Sequence, residues 1–307
     1  MSNPTPEEDA EALQKAMKGI GTDEEAIIKI ISNRTNSVRQ QIKEAFKKKF
    51  DKDLINELKS ELGGNFEDVV VALFETPLDY DALNLYNAMK GAGTDEDALI
   101  EIIASKPGWV LQKIKDKYKE KYKKDLEEDI KDDTSGDFQK ILLKILKCER
   151  SNNNDPNKEE CTKKAQELFD AGEGQWGTDE SVFINILTQS SPQELAVIAK
   201  EYHRISGNTI MEGIRKEFSS DVKDLLETII YAIISPSEYF ASRINKAIKG
   251  AGTNDKVLIR VLVSRNELDM EYIRKYYKQL YKKEMVEDIK DDCSGDYQKV
   301  LVELANH

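Results

Sequence analysis

The residues of this sequence best suited to chemistry are glycines and acids that recur at fixed distances. Four short segments have two glycines separated by one or two other residues, and the second glycine directly precedes a threonine. We call them loops 1 to 4; they are KGIGT (18–22), KGAGT (90–94), GQWGT (174–178) and KGAGT (249–253). Paired glycines leave the main-chain carbonyls uncrowded, and outward carbonyl oxygens are hard ligands that suit Ca²⁺. The four segments are therefore candidate calcium loops.

An acidic residue follows each loop at one distance. Forty positions after the last glycine of loops 1 to 4, the sequence has Glu61, Asp133, Glu217 and Asp292. A hard-cation site needs at least one carboxylate, and each of these acids is expected to end a helix, where negative charge is unfavourable. A bound cation would relieve that conflict, which favours calcium. The alternative is that each acid only stabilises the start of the following helix.

The threonines that end the loops have a simpler explanation. Thr22 with Glu25, and more loosely Thr94 with Asp97, match the capping box that starts a helix. One glycine is enough to terminate the helix before it. A capping box therefore explains the threonines and leaves the paired glycines unexplained.

The loops mark an internal repeat. Their last glycines, Gly21, Gly93, Gly177 and Gly252, lie 72, 84 and 75 residues apart, which defines repeats 1 to 4. Within a repeat, apolar residues recur every three or four positions in five successive stretches, and no stretch alternates as a strand would. The sequence predicts an all-α protein of four repeats, each with five short helices. The polar segment SNNNDPN (151–157) predicts a linker that divides the repeats two and two.

Composition excludes several classes of protein. The 307 residues carry a net charge of −12, which disfavours unaided binding to nucleic acid or acidic lipid. The start of the chain does not match a secretory signal, and the longest apolar runs are far shorter than the roughly 20 residues that span a bilayer. We expect a cytoplasmic protein. Cys148, Cys161 and Cys293 are too few for a disulfide framework, and whether the first two pair is left open.

Signals for catalysis and for nucleic-acid binding are weak. GEGQWG (172–177) matches a dinucleotide fingerprint, but the residues before it have a helical pattern and no strand. His203 and His307 have no matching nucleophile and acid nearby. The lysine-rich stretch 113–124 is more typical of the solvated face of an amphipathic helix than of an RNA site. We predict that the protein is not an enzyme and does not bind nucleic acid.

The four loops, each with its acid, resemble the annexin family over nearly the whole chain, from about Glu11 to Leu304. The resemblance implies five helices per repeat in a curved array with the calcium loops on one face. The predicted divisions are a tail (1–10), repeat 1 (11–75), repeat 2 (79–148), a linker (149–159), repeat 3 (160–234) and repeat 4 (237–307).

The resemblance also implies the calcium ligands, namely loop carbonyls with one bidentate acid in each repeat. Carried over by motif, they are Met17, Gly19 and Gly21 with Glu61; Met89, Gly91 and Gly93 with Asp133; Gly172, Gln175 and Gly177 with Glu217; and Ile248, Gly250 and Gly252 with Asp292. Lesser calcium positions are implied at Thr22 with Glu24 and at Thr94 with Glu96. Repeat 3 departs from the pattern, because its loop is one residue longer and FSS (218–220) replaces the TSG of 134–136.

The function implied is calcium-dependent binding to acidic phospholipid membranes, with phosphatidylserine-like headgroups, at the inner face of membranes. One acid and neutral carbonyls do not fill the six to eight positions of Ca²⁺, so a lipid phosphate oxygen can complete them. Trp176, at the tip of loop 3, is expected to be exposed and to contact the membrane at headgroup level. The alternatives are a helical-repeat scaffold for proteins and a membrane channel. Protein partners and self-assembly on the membrane are left open.

Overall fold

The computed structural model describes residues 4–19, 21–250 and 252–307, and all of the regular structure there is helical. Repeat 1 contains α1 (Pro6–Ala16), α2 (Glu24–Ser32), α3 (Asn36–Phe50), α4 (Leu54–Glu61) and α5 (Gly64–Leu73). Repeat 2 contains α6 (Pro77–Ala88), α7 (Glu96–Ser105), α8 (Gly108–Tyr122), α9 (Leu126–Asp133) and α10 (Gly136–Leu146).

Repeat 3 contains α11 (Lys158–Ala171), α12 (Glu180–Gln189), α13 (Pro192–Ser206), α14 (Ile210–Glu217) and α15 (Ser220–Ile234). Repeat 4 contains α16 (Pro236–Ile248), α17 (Asp255–Arg265), α18 (Met270–Tyr281), α19 (Met285–Asp292) and α20 (Gly295–Asn306). The predicted all-α fold of four five-helix repeats is confirmed.

Each helix buries the apolar stripe that its sequence period predicts. In repeat 1 every helix contributes at least one fully buried side chain, as shown by Leu13, Ile27, Ile42, Leu58 and Leu73. Side chains three or four positions apart share a helix face, so the five stripes can meet in one core. The apolar pattern thus fixes which face of each helix points inward.

The helix that follows each loop begins one residue later than the capping motif suggests. Its N-cap is Asp23, Asp95, Asp179 or Asn254; the Asp23 carboxylate, for example, accepts a hydrogen bond from the Ala26 N–H at 3.0 Å. The capping boxes predicted from Thr22 with Glu25 and from Thr94 with Asp97 are therefore wrong. A short Asp or Asn side chain at the next position reaches the first-turn N–H groups, which leaves the threonine hydroxyl for another partner.

The four repeats form two compact units. Unit 1 comprises Met1–Tyr80 with Phe240–His307, and unit 2 comprises Asp81–Tyr239. In unit 1, α2 and α5 of repeat 1 pack against α20 of repeat 4, and α5 also packs against α17. In unit 2, α7 and α10 of repeat 2 pack against α15, and α10 packs against α12. Repeat 1 is thus paired with repeat 4, and repeat 2 with repeat 3.

The polar linker lies between repeats 2 and 3 along the chain, as predicted from its composition, but the two compact units do not divide there. The linker lies within unit 2, held to the last residue of α12 and to the residue before α13. The Ser151 N–H donates to the Gln189 carbonyl at 2.8 Å, and the Ser191 hydroxyl donates to the Asn153 carbonyl at 2.7 Å. The polar composition correctly predicted an irregular segment. It gave no information on which of the helices before and after that segment pack against each other.

Two further features of the chain are settled by the described residues. Cys148, Cys161 and Cys293 are all free thiols. Within residues 4–19, 21–250 and 252–307, we find no helix with both the length and the apolar content needed to cross a bilayer.

Candidate functional site

In each repeat, one main-chain hydrogen bond between the first and second helices closes the loop into a ring. The N-cap residue of the second helix donates its N–H to the carbonyl of an alanine at or next to the end of the first helix. The four bonds are Asp23 to Ala16 (2.9 Å), Asp95 to Ala88 (2.8 Å), Asp179 to Ala171 (2.7 Å) and Asn254 to Ala247 (2.8 Å). In loops 2 and 3, where every residue is described, the residues in between are therefore confined to a small ring.

The conformation of the ring explains its last glycine. Gly21, Gly93, Gly177 and Gly252 have φ values of 85°, 91°, 89° and 91°. A side chain is disfavoured there, because the Cβ atom approaches the following carbonyl oxygen. In loops 1 and 2 the earlier glycine also has a positive φ, 128° at Gly19 and 108° at Gly91. The glycines thus serve the shape of the loop and not only the end of a helix.

The acid of each repeat lies against its loop, as the last residue of the fourth helix. The loop threonine donates its hydroxyl hydrogen to the carboxylate, from Thr22 to Glu61 at 3.0 Å, from Thr94 to Asp133 at 2.6 Å and from Thr253 to Asp292 at 2.6 Å. Thr178 donates to Glu217 in the same way. The expectation that each acid ends a helix is confirmed, and the acid and loop of every repeat lie side by side although 39 residues separate the bonded pair.

The donor set of loop 2 fits a hard cation. Among the described residues, the carbonyls of Met89, Gly91 and Gly93 accept no hydrogen bond. Across the same described ranges, no group of three or more His, Cys, Asp and Glu side chains is placed to hold a metal. A site built from these three carbonyl oxygens and the carboxylate of Asp133 has hard oxygen ligands, which suit Ca²⁺.

Loops 1 and 4 have similar donors but are described incompletely. Ile20 and Ala251 fall outside the described residues. The carboxylates of these repeats, Glu61 and Asp292, are exposed, whereas Asp133 and Glu217 are half-buried. All four can therefore meet an ion that arrives from water.

The acids of the lesser calcium positions begin the second helices. Glu24 is the first residue of α2, and Glu96 is the first residue of α7. Repeat 4 has Asp255 in this place, and the Tyr297 hydroxyl donates to its carboxylate at 2.7 Å. The assignment of Glu24 and Glu96 to calcium stays a prediction.

Loop 3 absorbs its extra residue in a tight turn. The Gln175 N–H donates to the Gly172 carbonyl at 3.0 Å, and the Gly174 N–H donates to the Phe169 carbonyl at 2.7 Å. The predicted ligand carbonyl of Gly172 thus already accepts one hydrogen bond. A Cβ atom added at Gly172 would lie 3.0 Å from Cγ of Glu217, so the acid packs directly against the turn. Trp176 is fully exposed, as its place in the loop predicts.

Glu173, inside this turn, is a residue that the sequence analysis did not single out. Its carboxylate accepts hydrogen bonds from the Tyr202 hydroxyl, the Asn208 amide and the Lys216 ammonium group. Burial opposes the charged form, but these donors outweigh it and hold the pKa of Glu173 below its ordinary value. The available signal was a glycine, Gly213, at a place where two other repeats have an aspartate.

GEGQWG (172–177) does not follow a strand. The residues before it form α11, so the strand that a dinucleotide fingerprint requires does not precede it.

The sequence and the fold match one family throughout. A family model for Annexin matches residues 8–73, 80–145, 163–229 and 239–304. Annexin A4 of Homo sapiens is 44% identical over 297 residues, which cover 97% of this chain and 93% of that protein. Annexin A11 of Homo sapiens is also 44% identical, but the match spans only 59% of its length.

Solved structures agree with this assignment. Chicken annexin V superimposes with a TM-score of 0.95 at 44% identity, covering 100% of this chain and 97% of the other. Calcium-bound annexin (Sm)1 superimposes with a TM-score of 0.85 at 31% identity, covering 99% and 92%. With four matched repeats and these identities, the chain belongs to the annexin family.

Proposed function

We propose that this protein binds acidic phospholipid membranes in a calcium-dependent manner. The observation that carries the proposal is the contact between loop and acid, which recurs in all four repeats through a threonine hydroxyl. The family is known for calcium-dependent phospholipid binding, and a calcium-bound annexin is among the similar structures. These points support a common function for the four loops.

In each repeat, different residues have different roles in holding the cation. The ligand carbonyls given above supply neutral oxygens, and Glu61, Asp133, Glu217 or Asp292 supplies the charge. The threonine hydroxyl keeps that carboxylate against the loop, and the last glycine allows the left-handed turn. A bound Ca²⁺ would offer its remaining coordination positions to phosphate oxygens of the lipid. The proposal includes no catalytic step.

Charge explains why the cation is needed. The chain carries a net charge of −12, so it is repelled by an acidic membrane at physiological salt. Sites with one carboxylate each should be weak in solution and tighter on lipid, because lipid and calcium binding are thermodynamically linked. In a cell, such a protein would move from the cytoplasm to the inner face of a membrane when calcium rises.

Trp176 fits the same function. It is fully exposed in loop 3, between the predicted ligands Gln175 and Gly177. An indole is stable at the level of lipid headgroups, where its ring is partly in hydrocarbon and its N–H meets water. We assign it to membrane contact beside the third calcium site.

The test is sedimentation with phosphatidylserine vesicles against calcium concentration. Each of Glu61→Gln, Asp133→Asn, Glu217→Gln and Asp292→Asn should shift half-maximal binding to higher calcium, because each removes the only charged ligand of a site. Asp132→Asn and Asp291→Asn are matched controls, since these exposed acids precede Asp133 and Asp292 in the chain and belong to no predicted site. In a Trp109→Phe background, Trp176 fluorescence should change only when calcium and vesicles are both present. Binding that persists in excess chelator, or that none of the four variants weakens, contradicts the proposal.

A further inference from the structure

Loop 3 keeps the geometry of the other loops in spite of its extra residue. Eight positions separate the bonded Asp179 and Ala171, against seven in each of the other loops. The ring still closes, at 2.7 Å, and Gly177 has a φ of 89°, within the range of the other last glycines. The hydroxyl of Thr178 still donates to Glu217. The inserted turn therefore leaves the closing bond, the last glycine and the threonine contact of the loop in place.

Glu173 is the residue of the turn that is fixed from outside the loop. Its carboxylate accepts from the Tyr202 hydroxyl at 2.8 Å, the Asn208 amide at 2.8 Å and the Lys216 ammonium group at 2.6 Å. These donors belong to α13, to the segment between α13 and α14, and to α14. The Glu173 side chain is only 12% exposed, and its bonds with Tyr202 and Asn208 are partly buried, whereas the Lys216 ammonium group lies at the surface.

In repeats 2 and 4, the acid that accepts from the corresponding tyrosine lies on the fourth helix and not in the loop. The residue 25 positions after the last loop glycine is a buried tyrosine in repeats 2 to 4, namely Tyr118, Tyr202 and Tyr277. In repeats 2 and 4 the hydroxyl donates to Asp129 (2.6 Å) or Asp288 (2.7 Å), an acid on the fourth helix. Repeat 1 has Phe46 at this position and therefore has no hydroxyl to satisfy.

Repeat 3 has Gly213 where repeats 2 and 4 have Asp129 and Asp288, 36 positions after the last loop glycine. A Cβ atom at Gly213 would lie 2.3 Å from the Tyr202 hydroxyl oxygen, so the ring occupies the room that a side chain would need. The hydroxyl of Tyr202 instead reaches Glu173 in the loop. The repeat with the longer loop is therefore the repeat whose tyrosine is bonded to that loop.

We propose that Glu173 is the positioning residue of the third calcium loop: it pins the one-residue insertion to α13 and α14 and so keeps the ligands on either side in register. The inference rests on the proposed function. Glu173 also pairs with Lys216, the residue next to the predicted ligand Glu217. Without Glu173, the turn would be free to move and an unpaired ammonium group would stand beside the calcium ligand, which opposes cation binding.

The experiment uses terbium(III), a luminescent hard cation, in the full chain with Trp109→Phe as the parent. Trp176 lies between the predicted ligands Gln175 and Gly177, so terbium luminescence excited through tryptophan reports loop 3 selectively. Loss of partners that orient a ligand typically costs 10- to 100-fold in metal affinity. We therefore expect Glu173→Ala to weaken terbium binding by about tenfold or more, and Glu173→Gln to weaken it in the same direction.

Glu227→Gln is the matched control. Glu227 pairs with Arg215 on α14, one residue from Lys216, so the variant removes an ion pair from the same helix without touching the loop. Its terbium affinity should equal that of the parent. If Glu173→Ala also binds terbium as the parent does, the proposal is overturned.

A double variant separates positioning from general stability. Glu173→Ala with Tyr202→Phe also removes the hydroxyl that the loss of Glu173 leaves without its acceptor, as Phe46 does in repeat 1, while the loop stays unpinned. We expect thermal stability to recover toward the parent and terbium affinity to remain about tenfold low. Recovery of the terbium affinity in this variant would mean that Glu173 acts only through stability, and would overturn the proposal.

The proposed function fails in a different way. If the parent shows no terbium signal that calcium displaces, and no calcium-dependent vesicle binding, both ideas fall together. If the parent binds vesicles with calcium but the Glu173 variants bind terbium normally, only the role of Glu173 falls.

Discussion

Ser220 is a single residue at which repeat 3 departs from the other repeats. It begins α15 with a φ of 50°, where the other repeats have Gly64, Gly136 and Gly295 at 59°, 63° and 64°. A residue with a side chain is strained in the left-handed region by roughly 1–2 kcal/mol. The FSS segment (218–220) therefore has a backbone conformation of higher energy, directly after the helix that ends at Glu217.

We predict that Ser220→Gly stabilises the protein. Relief of the strain exceeds the added freedom of glycine in the unfolded chain, which costs about 0.4–1 kcal/mol, so the net gain should be about 0.5–1 kcal/mol. Thermal unfolding in the absence of calcium measures it. The reverse change in a matched place, Gly136→Ser, should lower the melting temperature; a fall on Ser220→Gly would show that the hydroxyl has a role that the backbone angle does not explain.

Some residues of the candidate sites could be predicted from the sequence and others were missed, in each case for a physical reason. Glu61 and its three counterparts could be found because they recur at one distance from a glycine. Glu173 was missed although Gly213 was a signal for it, because its role depends on Tyr202 and Lys216, which lie 29 and 43 residues away. Thr22 was assigned to the wrong task because Asp23 beside it is an equally good cap, and only the fold decides between them.

The helix that follows each loop is the element that connects the binding loop to the core. Its N-cap side chain accepts from a first-turn N–H, as Asp95 does from Ala98 at 3.0 Å. The same residue closes the loop through its own N–H. Asp95 therefore joins two structures, the start of α7 and the ring of loop 2.

We predict that Asp95→Ala lowers the free energy of unfolding by about 1 kcal/mol, the usual cost of losing an N-cap side chain. Asp95→Asn should be nearly neutral, because Asn254 caps α17 in the same way. Denaturant unfolding of the two variants beside the wild type gives the comparison. Equal losses in both variants would assign the effect to the charge of Asp95 and not to its cap.

The elements themselves were predictable, whereas their partners were not. A period of three to four residues identified five helices per repeat because each helix has one buried stripe. The same stripes are alike in all four repeats, so they do not specify that α5 packs against α17 and α20 rather than against a neighbour in sequence. The polar linker suggested a boundary, but the side chain of Ser191 in repeat 3 binds it inside unit 2.

The charge of the whole molecule sets how it should respond to divalent ions. With a net charge of −12, any cation lowers self-repulsion to some degree. A specific site adds a further term, because a ligand that binds only the folded state stabilises it by about 1.4 kcal/mol per site at ten times its dissociation constant.

We predict that millimolar calcium raises the melting temperature more than equal magnesium does. Magnesium requires near-octahedral geometry and gives up its water reluctantly, so carbonyl-rich loops should favour calcium. Acidic vesicles should enlarge the calcium effect, because they add ligands to the same ions. Scanning calorimetry with chelator, calcium or magnesium tests this, and identical shifts for the two ions would point to charge screening alone.

The two compact units differ in whether they are continuous in the sequence. Unit 2 is one continuous stretch, whereas unit 1 joins Met1–Tyr80 to Phe240–His307. On a ribosome, repeat 1 emerges before its partner exists, and the apolar faces of α2 and α5 have no α20 to cover them until repeat 4 has been made. Repeats 2 and 3 can close their shared core during that interval. Repeat 1 is therefore synthesised before the other three repeats but is among the last to be completed, and its uncovered helices are where a chaperone would find the nascent protein.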